Sequence, residues 1–381
     1  MKKVNYKIIF YFIGVLLMFN GGFMFLASLL SYFYDDGITK SLILSGLLVF
    51  SLGTICFWFN KSFDKQLNKK EGYIVVILGW VIMILSGTIP YLFSGTINGF
   101  SNIIFETTSG YTTTGATIID SIESLPYGII FWRSITHWIG GMGIIVLAIA
   151  ILPLLGIGGM QLFSAEAPGP STDKLHPRIT DTAKRLWLIY FGFTLLETIL
   201  LTFFGMSFFD AINHSMSNIA SGGFSTKDNS LAYWNSQPVI QYIVIIFMFI
   251  AGTNFVLSYY IFKGKFDKLR SDEEFRLYYK LILFFTFVVA LIIFFNSSFI
   301  VDSDQSLFSQ IEGVIRHSLF QVVSIITTTG FVTSDYTAWT PFLLLIFFGL
   351  MFIGGSAGST SGGFKIVRHL LIIKNGFLEF K

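Results

Sequence analysis

Apolar residues follow one another for about twenty positions at a time along this chain, at roughly 7 to 34, 40 to 60, 73 to 95, 128 to 157, 184 to 206, 237 to 262, 277 to 300 and 340 to 373. A helix needs about 20 residues to cross a hydrocarbon core of about 30 Å, so the pattern predicts eight transmembrane helices. The first run follows MKKVNYKIIF. It is too long for the h-region of a signal peptide and lacks a small-residue cleavage site, so it reads as an uncleaved helix.

Some connections between these runs are as informative as the runs themselves. INGFSNIIFETTSGYTTTGATII (97 to 119) and DAINHSMSNIASGGFST (210 to 226) are too long for turns and too poor in charge for solvated linkers. They read as re-entrant segments. Anchored on Gly115, Gly223 and Gly330, which are 108 and 107 residues apart, three copies align without gaps. Six positions before each glycine stands a serine (Ser109, Ser217, Ser324), and nine before it a polar residue (Glu106, His214, Gln321). The pairs immediately before are Thr113 and Thr114, Ser221 and Gly222, Thr328 and Thr329. Each copy is therefore expected to be a helix, a short half-helix dipping back, a small-residue turn and a second helix. Irregular backbone at membrane depth survives only where protein buries it or where it lines a watery cavity. Glycine permits the angles that aim successive carbonyls alike, and a ring of such turns can replace the water around a cation. Close helix packing is the other use of small residues in membranes, but it does not predict a spacing kept within one residue.

Composition and charge agree. The chain has 381 residues, 53% hydrophobic and 12% charged, with 44 phenylalanines, against about 25% charge in a soluble domain. Most basic residues fall at the N-terminus (Lys2, Lys3, Lys7), in the loops Lys61 to Lys70, Lys174 to Arg185 and Lys263 to Lys280, and in the tail with Lys365, Arg368, Lys374 and Lys381. The positive-inside rule puts these on the cytoplasmic side, with the N-terminus. The alternate loops hold acids, with Lys227 and Arg316 as their bases. The lone cysteine, Cys56, reads as packing. No HExxH, cysteine cluster or GxSxG elbow points to an enzyme, and nothing points to nucleic acid.

Five stretches carry a resemblance: TTSGYTTTGAT (107 to 117), WRSITHWIGGMGIIVLAIAILPLLGIGGMQLFSAEAPGP (132 to 170), SGGFST (221 to 226), FQVVSIITTTGF (320 to 331) and GGSAGSTSGGFKIVR (354 to 368). In them the chain resembles the Trk/Ktr/HKT superfamily of potassium transporters, most closely its TrkH-type membrane subunits. The resemblance implies an all-α membrane protein: an extra N-terminal helix pair (1 to 70), then pore repeats at 71 to 175, 176 to 270 and 271 to 381, arranged pseudo-symmetrically around a central ion pore. It implies potassium as the transported ion, with no other cofactor, and a filter of backbone at Thr113, Thr114, Gly115, Ser221, Gly222, Gly223, Thr328, Thr329 and Gly330. It implies an intramembrane gate at Gly354, Gly355, Ser356, Ala357, Gly358, Ser359 and Thr360, where ten residues without a large side chain interrupt the last helix. It also implies a homodimer in the lipid of the inner (cytoplasmic) membrane and a cytosolic nucleotide-binding regulatory subunit of the TrkA type.

Some readings stay open. No copy has a glycine-tyrosine-glycine run, which leaves a sodium-permeable or sodium-coupled transporter as the alternative. A fourth filter glycine at the same spacing would fall beyond Lys381, so the fourth repeat is expected to be absent from the chain, through truncation or supply by a second polypeptide, or the chain is a nonconducting subunit. The gate stretch lacks the GK[ST] ending of a phosphate-binding loop. Arg133 and His137, four apart, either pair with Glu106 or the outer acids and brace the pore loop, or snorkel to the interface. Glu197, inside an apolar run, should face protein and is read as structural ahead of functional.

Overall fold

The computed structural model describes residues 4–61, 69–143, 179–295 and 306–379. Among them the secondary structure is helical, apart from one isolated bridge between Ile353 and Phe364. The chain divides into two compact units, Met1–Tyr190 and Phe191–Lys381.

In the first unit α1 (Tyr6–Phe33) and α2 (Thr39–Phe59) pack along each other. Glycine makes this approach possible: a Cβ on Gly14 would lie 2.6 Å from the backbone nitrogen of Phe57, and one on Gly53 would lie 2.6 Å from that of Met18. In lipid, where apolar surfaces gain little by meeting, such backbone contact is a main source of helix association. Helix α1 also packs against α3 (Lys69–Gly87) and α6 (Tyr127–Gly141). The run at 73 to 95 is α3 and a short α4 (Ile89–Ser94), parted at Thr88 before Pro90. Next come α5 (Phe100–Tyr111), the first half-helix, and α6. Beyond residue 143 the run at 128 to 157 lies outside the described residues, as do the first residues of the basic loop 174 to 185.

Helix α7 (Ile179–Phe203) leads into the second unit. There α8 (Phe208–Ile219) is the second half-helix, followed by a rising segment with a 3-10 turn at Ser230–Trp234. The apolar run at 237 to 262, expected to be one helix, is two: α9 (Pro238–Ala251) and α10 (Phe255–Phe262), bent by 108°. The bend sits at Gly252, Thr253 and Asn254, where Asn254 caps α10 by accepting from Val256 N–H at 2.8 Å. After α11 (Phe266–Ser271) come α12 (Glu273–Phe295) and α13 (Leu307–Ile326), the third half-helix. The run at 340 to 373 is a ten-residue helix, α14 (Pro341–Leu350), a loop over the Gly/Ser stretch, and α15 (Ile366–Glu379). Among the described residues five helices are long and apolar enough to cross a membrane, six with the bent pair taken as one.

Candidate functional site

The three half-helices end alike. After the caps Thr112, Ala220 and Thr327 come Thr113, Ser221 and Thr328, with φ of 52°, 55° and 56°. Two residues later stand Gly115, Gly223 and Gly330, with φ of 76°, 82° and 83°. The hydrogen bonds also repeat. Thr114, Gly222 and Thr329 donate their N–H to the carbonyls of Ser109, Ser217 and Ser324, at 3.0, 2.9 and 2.9 Å. Thr113, Ser221 and Thr328 donate to Gly110, Asn218 and Ile325, at 3.1, 2.8 and 3.0 Å. This is the closure that normally places glycine in the left-handed position after a helix. Here serine or threonine occupies it, at about 1–2 kcal/mol per residue. Such strain persists only where the surroundings hold it.

The surroundings do so through the polar residue nine places before each glycine, which reaches across to the chain rising from the turn. The Glu106 carboxylate accepts from Thr117 Oγ1 at 3.0 Å and from Ile118 N–H at 3.2 Å. His214 Nε2 lies 2.9 Å from Ser225 Oγ, while its Nδ1 faces the Asp210 carbonyl at 2.7 Å. Gln321 Nε2 donates to the Ser334 carbonyl at 3.2 Å, and His317 Nδ1 lies 2.9 Å from Thr333 Oγ1. Three different side chains thus serve one purpose: each ties a half-helix to the strand-like segment behind its turn.

In the first unit Arg133 holds Glu106, with Nε and Nη2 both 2.8 Å from Oε1 and the two side chains 1% and 0% exposed. Bracing, rather than snorkelling, is the arrangement found; His137 is buried one turn along. Tyr111, at the end of α5, donates its hydroxyl to Asn20 Oδ1 on α1 at 2.7 Å, and Asn20 Nδ2 donates to Ser86 Oγ on α3 at 2.8 Å. The extra helix pair is therefore fastened to the half-helix that carries the first turn. A Cβ on Gly140 of α6 would meet the Tyr111 carbonyl, so α6 also presses on this helix end. Asn20 is not among the residues singled out above; a lone amide inside an apolar run was the available signal.

In the second unit the structure brings the second and third turns together. A Cβ on Gly223 would run into the carbonyl oxygen of Thr329 and would lie 3.1 Å from its carbon. The rings of His214 and Phe331 lie 5.7 Å apart, and Val332 N–H donates to Ser230 Oγ at 3.3 Å. The turns differ in hydroxyls. Thr112 and Thr114 pair at 2.8 Å, as do Thr327 and Thr329, whereas Ala220 and Gly222 leave Ser221 as the hydroxyl of the second turn. Glu197, fully buried as expected, accepts from Asn218 Nδ2 at 2.6 Å. Asn218 also donates to the Val244 carbonyl at 3.2 Å, so a carboxyl of α7, the second half-helix and α9 meet there.

The Gly/Ser loop lies against these two turns and the α9–α10 bend. The bend frees carbonyls that a continuous helix would use, and the loop takes them: Ser356 N–H donates to Gly252 at 2.9 Å and Thr360 N–H to Ala251 at 3.3 Å. Phe255 N–H, at the start of α10, donates to the Gly358 carbonyl at 3.1 Å. Gly354, Gly355, Ser356 and Ala357 are buried, and a Cβ on Gly354 would strike the carbonyl of Gly362. Glu274 Oε1, on the first turn of α12, accepts from Ala357 N–H at 2.7 Å and from Val367 N–H at 3.1 Å. On the segment after the third turn, the Thr337 hydroxyl and then its N–H hold the Asp335 carboxyl below the usual aspartate range. Such backbone turns, with oxygen donors and a loop beside them, can hold and release a desolvated cation.

Comparison with known proteins follows the same outline. A family model described as TrkH, cation transport protein, matches residues 39–381. The chain is 41% identical over 381 residues to the Trk system potassium uptake protein TrkH of Salmonella typhimurium, covering 99% of this chain and 77% of that protein. It is 32% identical over 377 residues to the Trk system potassium uptake protein TrkG of Escherichia coli K12, covering 98% and 76%. The crystal structure of the potassium transporter TrkH from Vibrio parahaemolyticus superposes with a TM-score of 0.84 at 34% identity, over 99% of this chain and 76% of that one.

Proposed function

The chain belongs to the TrkH family of cation transport proteins, and from that premise we propose that it takes up potassium through a path lined by its three repeated turns. It is a membrane transport protein and not an enzyme. The ion-facing groups are the backbone of Thr113, Thr114 and Gly115, of Ser221, Gly222 and Gly223, and of Thr328, Thr329 and Gly330. The observation that carries this reading is the shared backbone signature, a left-handed hydroxyl residue two places before a left-handed glycine at three half-helix ends. The C-terminal end of each half-helix carries partial negative charge, which favours a cation beyond it.

The repeats run over 71 to 175, 176 to 270 and 271 to 381, behind the helix pair 1 to 70, and the loop Gly354 to Thr360 gates the path. A second reading, weaker exclusion of sodium, is favoured by the second turn, where Ala220 and Gly222 supply no hydroxyl. The relatives are named as parts of a Trk system, which supports a multi-component assembly. We assign to it a homodimer of this chain in the cytoplasmic membrane, N-terminus inside, and a cytosolic nucleotide-binding subunit of the TrkA type. The basic loops Lys61 to Lys70 and Lys263 to Lys280 support that orientation.

Uptake of a rubidium tracer by a potassium-transport-deficient bacterial strain expressing this chain tests the function. Saturable uptake that potassium competes away is expected. Uptake at the vector level, with the protein present in the membrane, would overturn the reading.

A further inference from the structure

Ser221 and Thr328 occupy the left-handed positions of the second and third turns, where glycine would carry no strain. What their side chains provide is visible in the second unit. Thr360, in the Gly/Ser loop, has its Oγ1 2.9 Å from the Ile219 carbonyl, 3.2 Å from the Ala251 carbonyl and 2.9 Å from Ser221 Oγ. A hydroxyl has one proton to give. Thr360 gives its proton to a carbonyl, which leaves Ser221 to donate to Thr360. Two residues on, Gly362 N–H donates to Thr328 Oγ1 at 2.7 Å. The loop is thus bonded, through residues two apart, to the strained hydroxyl of each of the two turns it lies against.

We propose that Thr360 is a positioning residue that couples the loop to the turns, so that the loop is held in place by the hydroxyls of Ser221 and Thr328 and cannot leave without releasing them. This rests on the filter and gate assignments above and adds the link between them. The two hydroxyls are spent on the loop while it is in place. By reciprocity, anything that alters the second and third turns must alter the loop equilibrium, and the reverse. It also accounts for serine at 221 and threonine at 328, where the backbone favours glycine.

The test needs a readout of loop position. Ser361 is 3% exposed, so in a Cys56→Ser background a Ser361→Cys chain should react with a thiol reagent only when the loop has moved. Thr360→Val, which keeps the shape and deletes the hydroxyl, is expected to speed labelling at least about 2- to 10-fold, the effect of losing one ordinary hydrogen bond. Thr360→Ser should restore the parent rate. Thr360→Val combined with Ser221→Ala should add little to Thr360→Val alone, because the bond that Ser221→Ala removes is already gone. An unchanged labelling rate for Thr360→Val, or fully additive effects, would overturn the coupling. Rubidium flux through the Ser361→Cys chain separates this from the gate itself: flux altered by a bulky thiol adduct supports the gate assignment, and flux indifferent to the adduct overturns that assignment and the coupling with it.

Discussion

Replacing Gly223 by alanine places a methyl group where the third turn already is. Two costs follow. The residue sits at φ 82°, where an L side chain costs about 1–2 kcal/mol. The new Cβ also meets the Thr329 carbonyl oxygen, with the carbonyl carbons of Thr329 and Gly330 at 3.1 and 3.4 Å. That carbonyl is not free to withdraw, because Thr329 N–H is anchored to Ser324 at 2.9 Å. Inserting a methyl group into packed surroundings costs about 1–3 kcal/mol, so the total is about 2–5 kcal/mol, or a fall of at least about thirtyfold in the equilibrium favouring the correct turn. Gly330→Ala is the control. Its φ is 83°, so the conformational cost is the same, but no atom lies within 4 Å of its Cβ position. Rubidium uptake, with thermal unfolding of each purified chain, should therefore rank parent above Gly330→Ala above Gly223→Ala. If Gly330→Ala proves as damaging as Gly223→Ala, the collision is not the cause and the packing of the second turn on the third has been misjudged.

Three further substitutions probe the supports. Arg133→Met leaves the Glu106 carboxylate buried without its cation and should lower unfolding stability by about 3–5 kcal/mol, with Arg133→Met/Glu106→Gln recovering part of the loss in thermal unfolding. Asn20→Ala removes the acceptor of Tyr111 and the donor to Ser86; it should cost about 1–3 kcal/mol and reduce uptake although α1 carries no residue of the filter. Glu274→Ala withdraws the acceptor shared by Ala357 and Val367 and should speed thiol labelling at Ser361→Cys, while Glu274→Gln, which keeps an acceptor oxygen, should have the smaller effect.

The helices that follow a plain apolar run, such as α1, α2 and α12, could be placed from the sequence because their length and hydrophobicity are set by the bilayer alone. The turns were found because glycine at Gly115, Gly223 and Gly330 is what a left-handed backbone asks for. The neighbouring strain at Thr113, Ser221 and Thr328 was not legible, since serine and threonine seldom mark a positive φ. The 108° bend after α9 was hidden inside a continuous apolar run; Gly252, Thr253 and Asn254 were its only trace, and the bonds that make it tolerable come from a loop about a hundred residues later. Asn20 and Glu274 escaped for a similar reason. One is a single amide and the other one charge among many between 263 and 280, and each acquires its meaning from partners 91 and 83 residues away. The three different braces Glu106, His214 and Gln321 were seen as polar positions in register, but their purpose depends on the Thr117 and Ser225 hydroxyls and the Ser334 carbonyl, which no sequence pattern ties to them.

If the matching turns bind the transported ion, their backbone oxygens must be what it meets. An experimental structure of the protein in rubidium, with the ion located by its anomalous scattering, tests it most directly. A peak is expected at bonding distance from the carbonyls of Ser221 to Gly223 and Thr328 to Gly330. Rubidium bound elsewhere, with these carbonyls unoccupied, would contradict it.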